Sequence, residues 1–171
     1  DVPVPACGDG HVLVRTHYAG VQYPDALQAQ GLYQRKPDLP YIPGMDVAGR
    51  VIDVGTGVDH VQVGDRAIAQ LQIGGLSEVV TAPGANVWKV PDGIHLSQCA
   101  NIGRNFCPAY HSLKTLGRVG EGSLVLVDGA SGGVGMAAVG LAKAMGAQVI
   151  AGVSIPEKQE RPAAAGADRV L

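Results

Sequence analysis

The sequence contains little charge, and the charge it has shows no strong bias. Charged residues make up 16% of the chain, and 13 lysines and arginines against 15 acidic residues leave a formal net charge of −2 at pH 7. No basic run is present. We expect no nucleic-acid partner, because such partners require clustered cations that neutralise phosphates.

Long apolar runs and patterned cysteines are also missing. The longest apolar stretch, residues 137–151, is interrupted by a lysine and a glutamine. It falls short of the about 18 residues that cross a membrane, so no membrane partner is expected. Cys7, Cys99 and Cys107 lack the spacing of a metal site or a disulfide framework. Reduced thiols in a cytoplasmic protein are the simplest interpretation.

The start of the sequence is unusual for a complete protein. It begins at Asp1 rather than at a methionine, and no signal-peptide pattern follows. The opening Asp-Val-Pro-Val-Pro stretch resembles the interior of a chain. We therefore expect a processed or excised piece of a longer protein.

The first half of the chain predicts a β-rich domain over residues 1–95. Most of the 25 glycines and 11 prolines lie there and predict frequent turns. Strands are predicted at 11–19, 47–54, 67–71, 76–82 and 86–90, a short helix at 24–30, and an irregular loop at 33–43. Alternation places Val12, Val14, Thr16 and Tyr18 on one strand face, and Gly49 predicts a bulge or close backbone approach.

The second half, residues 96–171, has a different pattern. A helical segment at 96–116 is expected to break near Gly103 and Pro108. The apolar run 123–127 is typical of a parallel strand buried on both faces. A helix at 133–145 ending before Gly146, a strand at 148–153, a helix opened by Pro156 and a strand from 168 follow. This βαβαβ order is half of a doubly wound sheet, which leaves one edge and one face uncovered.

The stretch VDGASGGVG, residues 127–135, has two interpretations. Residues 129–133 fit G-x-S-x-G, the turn that presents a nucleophilic serine, here Ser131, in hydrolases. Gly129, Gly132 and Gly135 also form a spaced-glycine turn that can hold a dinucleotide pyrophosphate. A hydrolase triad on this fold runs Ser, acid, His, yet the last histidine, His111, precedes Ser131.

Two further features favour the cofactor turn. The serine turn needs no glycine at 135, whereas a dinucleotide turn uses one for close helix–strand contact. The next strand ends without the Asp or Glu that binds an NAD ribose, and Ser154 and Lys158 suit a 2′-phosphate instead. Glu157 is expected on the following helix. The cofactor-binding candidates are Ser131, Gly132, Gly133, Val134, Gly135, Ser154 and Lys158, and the predicted cofactor is NADPH.

Several stretches carry a resemblance to a known family. They are AGVQYPDALQAQGLY (19–33), LPYIPGMDVAGRVIDVG (39–55), VGDRA (63–67), GASGGVGMAAVGLAKAMGAQVI (129–150) and EKQERPAAAGADRVL (157–171). In this order they resemble the medium-chain dehydrogenase/reductase superfamily, in particular the zinc-free, zeta-crystallin-like NADPH:quinone oxidoreductases. The resemblance implies a GroES-like β-barrel domain over 1–95, then the first part of an α/β Rossmann domain over 96–171.

The resemblance also bears on metal binding. Zinc-dependent members carry a cysteine where Gln22 stands and Gly-His-Glu at 44–46, where this chain has Met45. Arg104 stands in place of the third ligand, and 71–75 is too short for the structural zinc lobe. Glutamine and methionine are not zinc ligands of this kind, so no metal is predicted.

The remaining site candidates are implied by the resemblance. Gln22 stands where relatives have an asparagine near the nicotinamide ribose and the substrate. Tyr33 matches a tyrosine of the substrate pocket, whose phenol could donate to the developing oxyanion. These two are the catalytic candidates. The matching nicotinamide contacts are Asn105, Phe106 and Pro108. Relatives have a helix-forming residue where Pro162 stands. We therefore expect the helix that contains Pro162 to kink, or to begin later than Pro156.

The function that these observations predict is reduction of a small-molecule quinone or activated enone. NADPH would deliver hydride directly, without a metal. Enoyl-thioester reduction and a non-catalytic, NADPH-binding structural role remain alternatives. The resemblance implies a homodimer for the full-length protein, and the piece alone is expected to be inactive.

Overall fold

The structure is a computed structural model that describes residues 2–171. The chain divides into two compact units, the first ending at Gly103 and the second spanning Arg104–Leu171. The domain bounds 1–95 and 96–171 stay a prediction. No helix within residues 2–171 is long and apolar enough to cross a membrane.

The first unit is built on a five-stranded antiparallel sheet. Its strands are β1 (His11–Gly20), β2 (Asp46–Val54), β3 (Arg66–Gln70), β4 (Val79–Pro83) and β5 (Val87–Lys89), in the order β4-β1-β2-β3-β5. Helix α1 (Tyr23–Ala29) follows β1, a 3₁₀ turn (Gly84–Asn86) precedes β5, and α2 (Leu96–Cys99) follows it. The predicted strands are present with shifts of a few residues, and 33–43 is irregular as expected.

The core of this unit consists of small aliphatic side chains. Val12, Val14, Val47 and Val51 are almost completely buried, with alanines and further valines around them. β-branched residues suit this position because they pack well on a pleated surface.

A bulge in β1 corrects the predicted alternation. Val12 and Val14 are buried as expected, but Tyr18 is 40% exposed. The pairing with β2 shifts between Thr16, opposite Gly49, and Tyr18, opposite Ala48. One extra residue in a strand moves every later side chain to the other face, so the expected position of Tyr18 was wrong.

Gly49 allows β1 and β2 to approach closely at this bulge. A Cβ atom added to Gly49 would lie 2.0 Å from the carbonyl oxygen of Arg15. No side chain fits at that distance, so the close backbone approach predicted for Gly49 is confirmed.

Gly49→Ala should therefore destabilise the first unit, by about 1–3 kcal/mol, because the strands must separate. The urea unfolding midpoint measures this effect. Gly8→Ala is the matched control, because a Cβ there meets nothing within 4 Å and its φ lies outside the left-handed region. Equal midpoints for the two variants would contradict the close approach.

The second unit contains a three-stranded parallel sheet in the order β6-β7-β8. Its strands are β6 (Leu124–Val127), β7 (Gln148–Ala151) and β8 (Arg169–Val170). Helix α4 (Gly133–Ala144) connects β6 to β7, and a 3₁₀ turn (Pro156–Lys158) with α5 (Glu160–Ala164) connects β7 to β8. Gly146 ends α4 with φ +83°. This is the predicted βαβαβ order.

Strand β6 is buried on one face, not on both as its apolar run predicted. Val127 packs into the cluster that includes Val139 and Val149. Leu124 and Leu126 point away from it and are each 67% exposed. An apolar run in the sequence does not show whether both faces of the strand are covered. In this sheet one face is uncovered, as we expected from its three strands.

The helical segment 96–116 differs in detail from its prediction. It contains α2, α3 (Ile102–Tyr110) and a π-helical turn (His111–Leu116). The break lies just before Gly103. Pro108 lies inside α3 without ending it, and the backbone then widens, with Gly117 N donating to Ser112 O at 2.8 Å. The helix loses the bond that Pro108 cannot donate and continues, so the break expected there was wrong.

Pro162 is accommodated by a late helix start, as predicted. Because α5 begins at Glu160, Pro162 lies in its first turn. An amide there has no partner within the helix, so proline loses no hydrogen bond. Its side chain is fully buried.

An ion pair joins α4 to the segment before β8. Lys143 Nζ lies 2.8 Å from both carboxylate oxygens of Asp168. Asp168 Oδ2 also accepts a hydrogen bond from Val149 N at 2.6 Å. These bonds, the one from Lys143 first, lower the pKa of Asp168 below 3.8.

Asp168 should make the stability of the second unit depend on pH. Its lowered pKa stabilises the fold above the unfolded-state value of about 3.9, and this contribution is lost as pH falls through the folded-state value. Asp168→Asn should lower the melting temperature at pH 7, with the difference from wild type narrowing toward pH 3. Asp92→Asn, at an exposed site, is the control. A difference that does not narrow would contradict the role of the carboxylate.

Candidate cofactor and substrate sites

The glycine turn lies between β6 and α4 and is held by main-chain hydrogen bonds. Gly129 has a φ of +64°, and its carbonyl accepts from Gly132 N at 3.0 Å. Ala130 N donates to Gly152 O at 2.9 Å, which attaches the turn to the end of β7. The turn is therefore closed on itself and anchored to the next strand.

The N-terminus of α4 is open to a ligand. Gly132, Gly133 and Val134 are exposed, and a Cβ on Gly132 would meet only Gly129 O, at 3.4 Å. The first amides of a helix have no acceptors within it and carry partial positive charge. This end of a 12-residue helix suits an anion such as a phosphate.

Gly135 brings α4 directly onto the turn. A Cβ added there would lie 2.4 Å from Gly129 O and 2.8 Å from Ala130 Cα. Only glycine permits this contact, which is the close helix approach expected of a dinucleotide turn.

The backbone at Ser131 does not support the hydrolase interpretation. The nucleophile turn of hydrolases holds its serine on a strained strand-to-helix corner. Within residues 2–171, Arg118 is the one non-glycine residue with φ in the left-handed region, so Ser131 lies outside that region.

Asn105 lies against the glycine turn. A Cβ added to Gly133 would be 2.7 Å from Asn105 Oδ1, so this side chain contacts the main chain of Gly133. Phe106 and Pro108 lie on the same helix and are exposed. Of these three candidates, the structure places Asn105 at the turn.

Ser154 and Lys158 lie beyond the end of β7, and both are exposed. Lys158 ends the 3₁₀ turn that Pro156 opens. Glu157 lies on this turn and not on the following α-helix, where it was expected, because that helix begins at Glu160. An exposed hydroxyl and an exposed ammonium can both bind a phosphate.

Gln22 is held by two buried carboxylates. Its main-chain N donates to Asp25 Oδ2 at 2.7 Å, and its Nε2 donates to Asp46 Oδ2 at 2.7 Å. Asp25 is 5% and Asp46 3% exposed. Charge-assisted bonds in buried surroundings are strong and fix the amide orientation. The Gln-x-x-Asp capping pattern could have identified Asp25, whereas no local signal indicates Asp46.

Tyr33 lines a pocket of about 350 Å³ in the first unit. The tyrosine is half-buried, and its backbone N donates to Leu27 O at 3.2 Å. The other lining residues are Gln34, Arg35, Met45 and Gln72. Sequence reasoning did not find Gln34, Arg35 or Gln72. Gln72 is distant from Tyr33 in the chain, and only the tertiary structure brings them together.

Gln22 and Met45, the residues compared above with zinc ligands, have other surroundings. Gln22 donates its amide to Asp46, and Met45 is 3% exposed. Within residues 2–171, no group of three or more His, Cys, Asp or Glu side chains is arranged to hold a metal ion.

Comparisons with known proteins agree with this geometry. The family model of the alcohol dehydrogenase GroES-like domain matches residues 8–92. Human quinone oxidoreductase is 38% identical over 172 aligned residues, which cover 100% of this chain and 52% of the relative. The chain belongs to the medium-chain dehydrogenase/reductase superfamily. The human synaptic vesicle membrane protein VAT-1 homolog is 37% identical, over 91% of this chain and 40% of that protein.

Solved structures of this superfamily share the fold. The quinone oxidoreductase of Thermus thermophilus, solved also as a complex with NADPH, is 35% identical with a TM-score of 0.84, over 99% of this chain and 54% of that one. The Escherichia coli quinone oxidoreductase, complexed with NADPH, is 29% identical with a TM-score of 0.89, over 100% and 52%. The predicted fold class, a GroES-like β unit followed by part of a Rossmann unit, is confirmed. This superfamily member spans about half the length of the curated relatives it matches.

Gly135→Ala should destabilise the second unit by about 1–3 kcal/mol, since α4 must move off the turn. Chemical unfolding measures the loss. Gly140→Ala in the same helix is the control, because its Cβ meets nothing within 4 Å. Replacing a helix glycine there should instead stabilise by about 0.5–1 kcal/mol. A neutral result at Gly135 would contradict the close contact.

Proposed function

We propose that the protein is an NADPH-dependent reductase that transfers hydride to a quinone or an activated enone without a metal. The open glycine turn at the N-terminus of α4 is the observation that carries this proposal. The supporting comparison is the likeness to quinone oxidoreductases solved with NADPH.

NADPH, when bound, supplies the hydride. Main-chain amides within residues 131–135 would hold its pyrophosphate, because they lie at the positive end of a helix and Gly132, Gly133 and Val134 are exposed. Ser154 and Lys158 would hold the 2′-phosphate. Asn105, Phe106 and Pro108 would contact the nicotinamide part.

Two residues of the first unit would act on the acceptor side. Tyr33 would donate its phenolic hydrogen bond to the acceptor oxygen on which negative charge develops. The buried carboxylates of Asp25 and Asp46 would hold Gln22 in place beside the nicotinamide ribose. The acceptor gains a hydride, which carries two electrons, and the anion that results then gains a proton from water.

The proposal is tested with the natural polypeptide that contains this sequence, which we expect to be a homodimer. NADPH oxidation is followed with 9,10-phenanthrenequinone and, separately, with an enoyl thioester. Turnover of the quinone supports the proposal, and turnover of the thioester alone would assign an enoyl reductase. If NADPH binds but neither acceptor is reduced, the proposed reaction is wrong and a structural role is favoured.

Lys158→Gln should reduce the preference for NADPH over NADH by about ten- to a hundredfold, because one charge-assisted bond to a phosphate is worth about 1.5–3 kcal/mol. Dissociation constants for both nucleotides, measured by calorimetry, give the ratio. Lys114→Gln removes an exposed lysine elsewhere in the second unit and should leave the ratio unchanged. Equal effects of the two substitutions would indicate general electrostatics rather than a phosphate contact.

A further inference from the structure

The pocket beside Tyr33 has an uneven distribution of charge. Of the five residues that line it, Arg35 is the one with a charged side chain. Tyr33, Gln34 and Gln72 are neutral hydrogen-bonding residues, and Met45 is apolar. The lining therefore contains a cation and no carboxylate to neutralise it.

Arg35 is well suited to recognise an anionic group. An arginine guanidinium presents a planar set of donors that match a carboxylate or sulfonate in two parallel bonds. The side chain is exposed, so its attraction for an anion is screened by salt.

The pocket is large enough for a ring system with such a substituent. Its volume of about 350 Å³ is at the lower end of small-molecule sites, which run from about 300 to 1,000 Å³. A two- or three-ring acceptor would fit this volume, and Tyr33 and Arg35 both line it.

We propose that Arg35 determines acceptor specificity by favouring quinones or enones that carry an anionic substituent such as a carboxylate. This inference rests on the proposed function, because it concerns the acceptor pocket of the same reaction. Arg35 binds the substituent and takes no part in the transfer of hydride.

The neighbouring residue provides a matched control. Lys36 follows Arg35 directly, has the same charge and is exposed, but it does not line the pocket. Arg35→Gln and Lys36→Gln therefore remove the same charge from adjacent positions. A specific contact and a general electrostatic attraction predict different results for this pair.

The experiment compares 9,10-phenanthrenequinone with its 2-carboxylate in the natural polypeptide that contains this sequence. The measured quantity is the ratio of kcat/KM for the carboxylate to kcat/KM for the parent quinone. Arg35→Gln should lower this ratio about fivefold, mainly through KM, as expected for an exposed ion pair at the upper end of its range. Lys36→Gln should leave it unchanged, and about 0.5 M salt should reduce the wild-type ratio toward that of Arg35→Gln.

Each contrary result has a distinct meaning. Equal reduction of the ratio by both substitutions, or an unchanged ratio in Arg35→Gln, would overturn the role of Arg35 while the proposed reductase stands. If the wild type reduces neither quinone, the proposed function fails, and the specificity inference fails with it.

Discussion

The contact between Gly135 and the turn before α4 is the constraint on which the candidate cofactor site depends. Because a Cβ is excluded at this position, the helix begins close to the turn, and Gly132, Gly133 and Val134 are exposed at its N-terminus. A larger residue would displace the helix and close the space that a phosphate requires. A hydrolase turn does not need a glycine at position 135, so the close contact at Gly135 favours the dinucleotide interpretation.

The position of Gln22 depends on a different kind of interaction. Two buried carboxylates hold Gln22 through its main chain and its side-chain amide. Burying two acids is costly unless each is hydrogen-bonded, so this arrangement is more than a helix cap. Asp46, the first residue of β2, provides the partner that positions the side-chain amide of Gln22.

Much of the fold and part of the site could be predicted from local patterns. The glycine spacing, the change from β-rich to βαβαβ order and the close approach at Gly49 all follow from residue type and spacing. The predictions that failed concerned features without a local signal. The bulge that turns Tyr18 outward depends on the pairing of β1 with β2. The continuation of α3 past Pro108 depends on how the helix accommodates one lost hydrogen bond.

The sequence by itself determined where the glycine turn lies, because spaced glycines between an apolar strand and a helical pattern predict a tight strand–turn–helix connection. Only the tertiary structure decided which residues meet across long separations: Asp46 with Gln22, and Gln72 and Arg35 with Tyr33. Backbone conformation is limited by each residue's own sterics and can be read locally. Side-chain neighbours from distant strands and loops are set by register and packing, which no short stretch encodes.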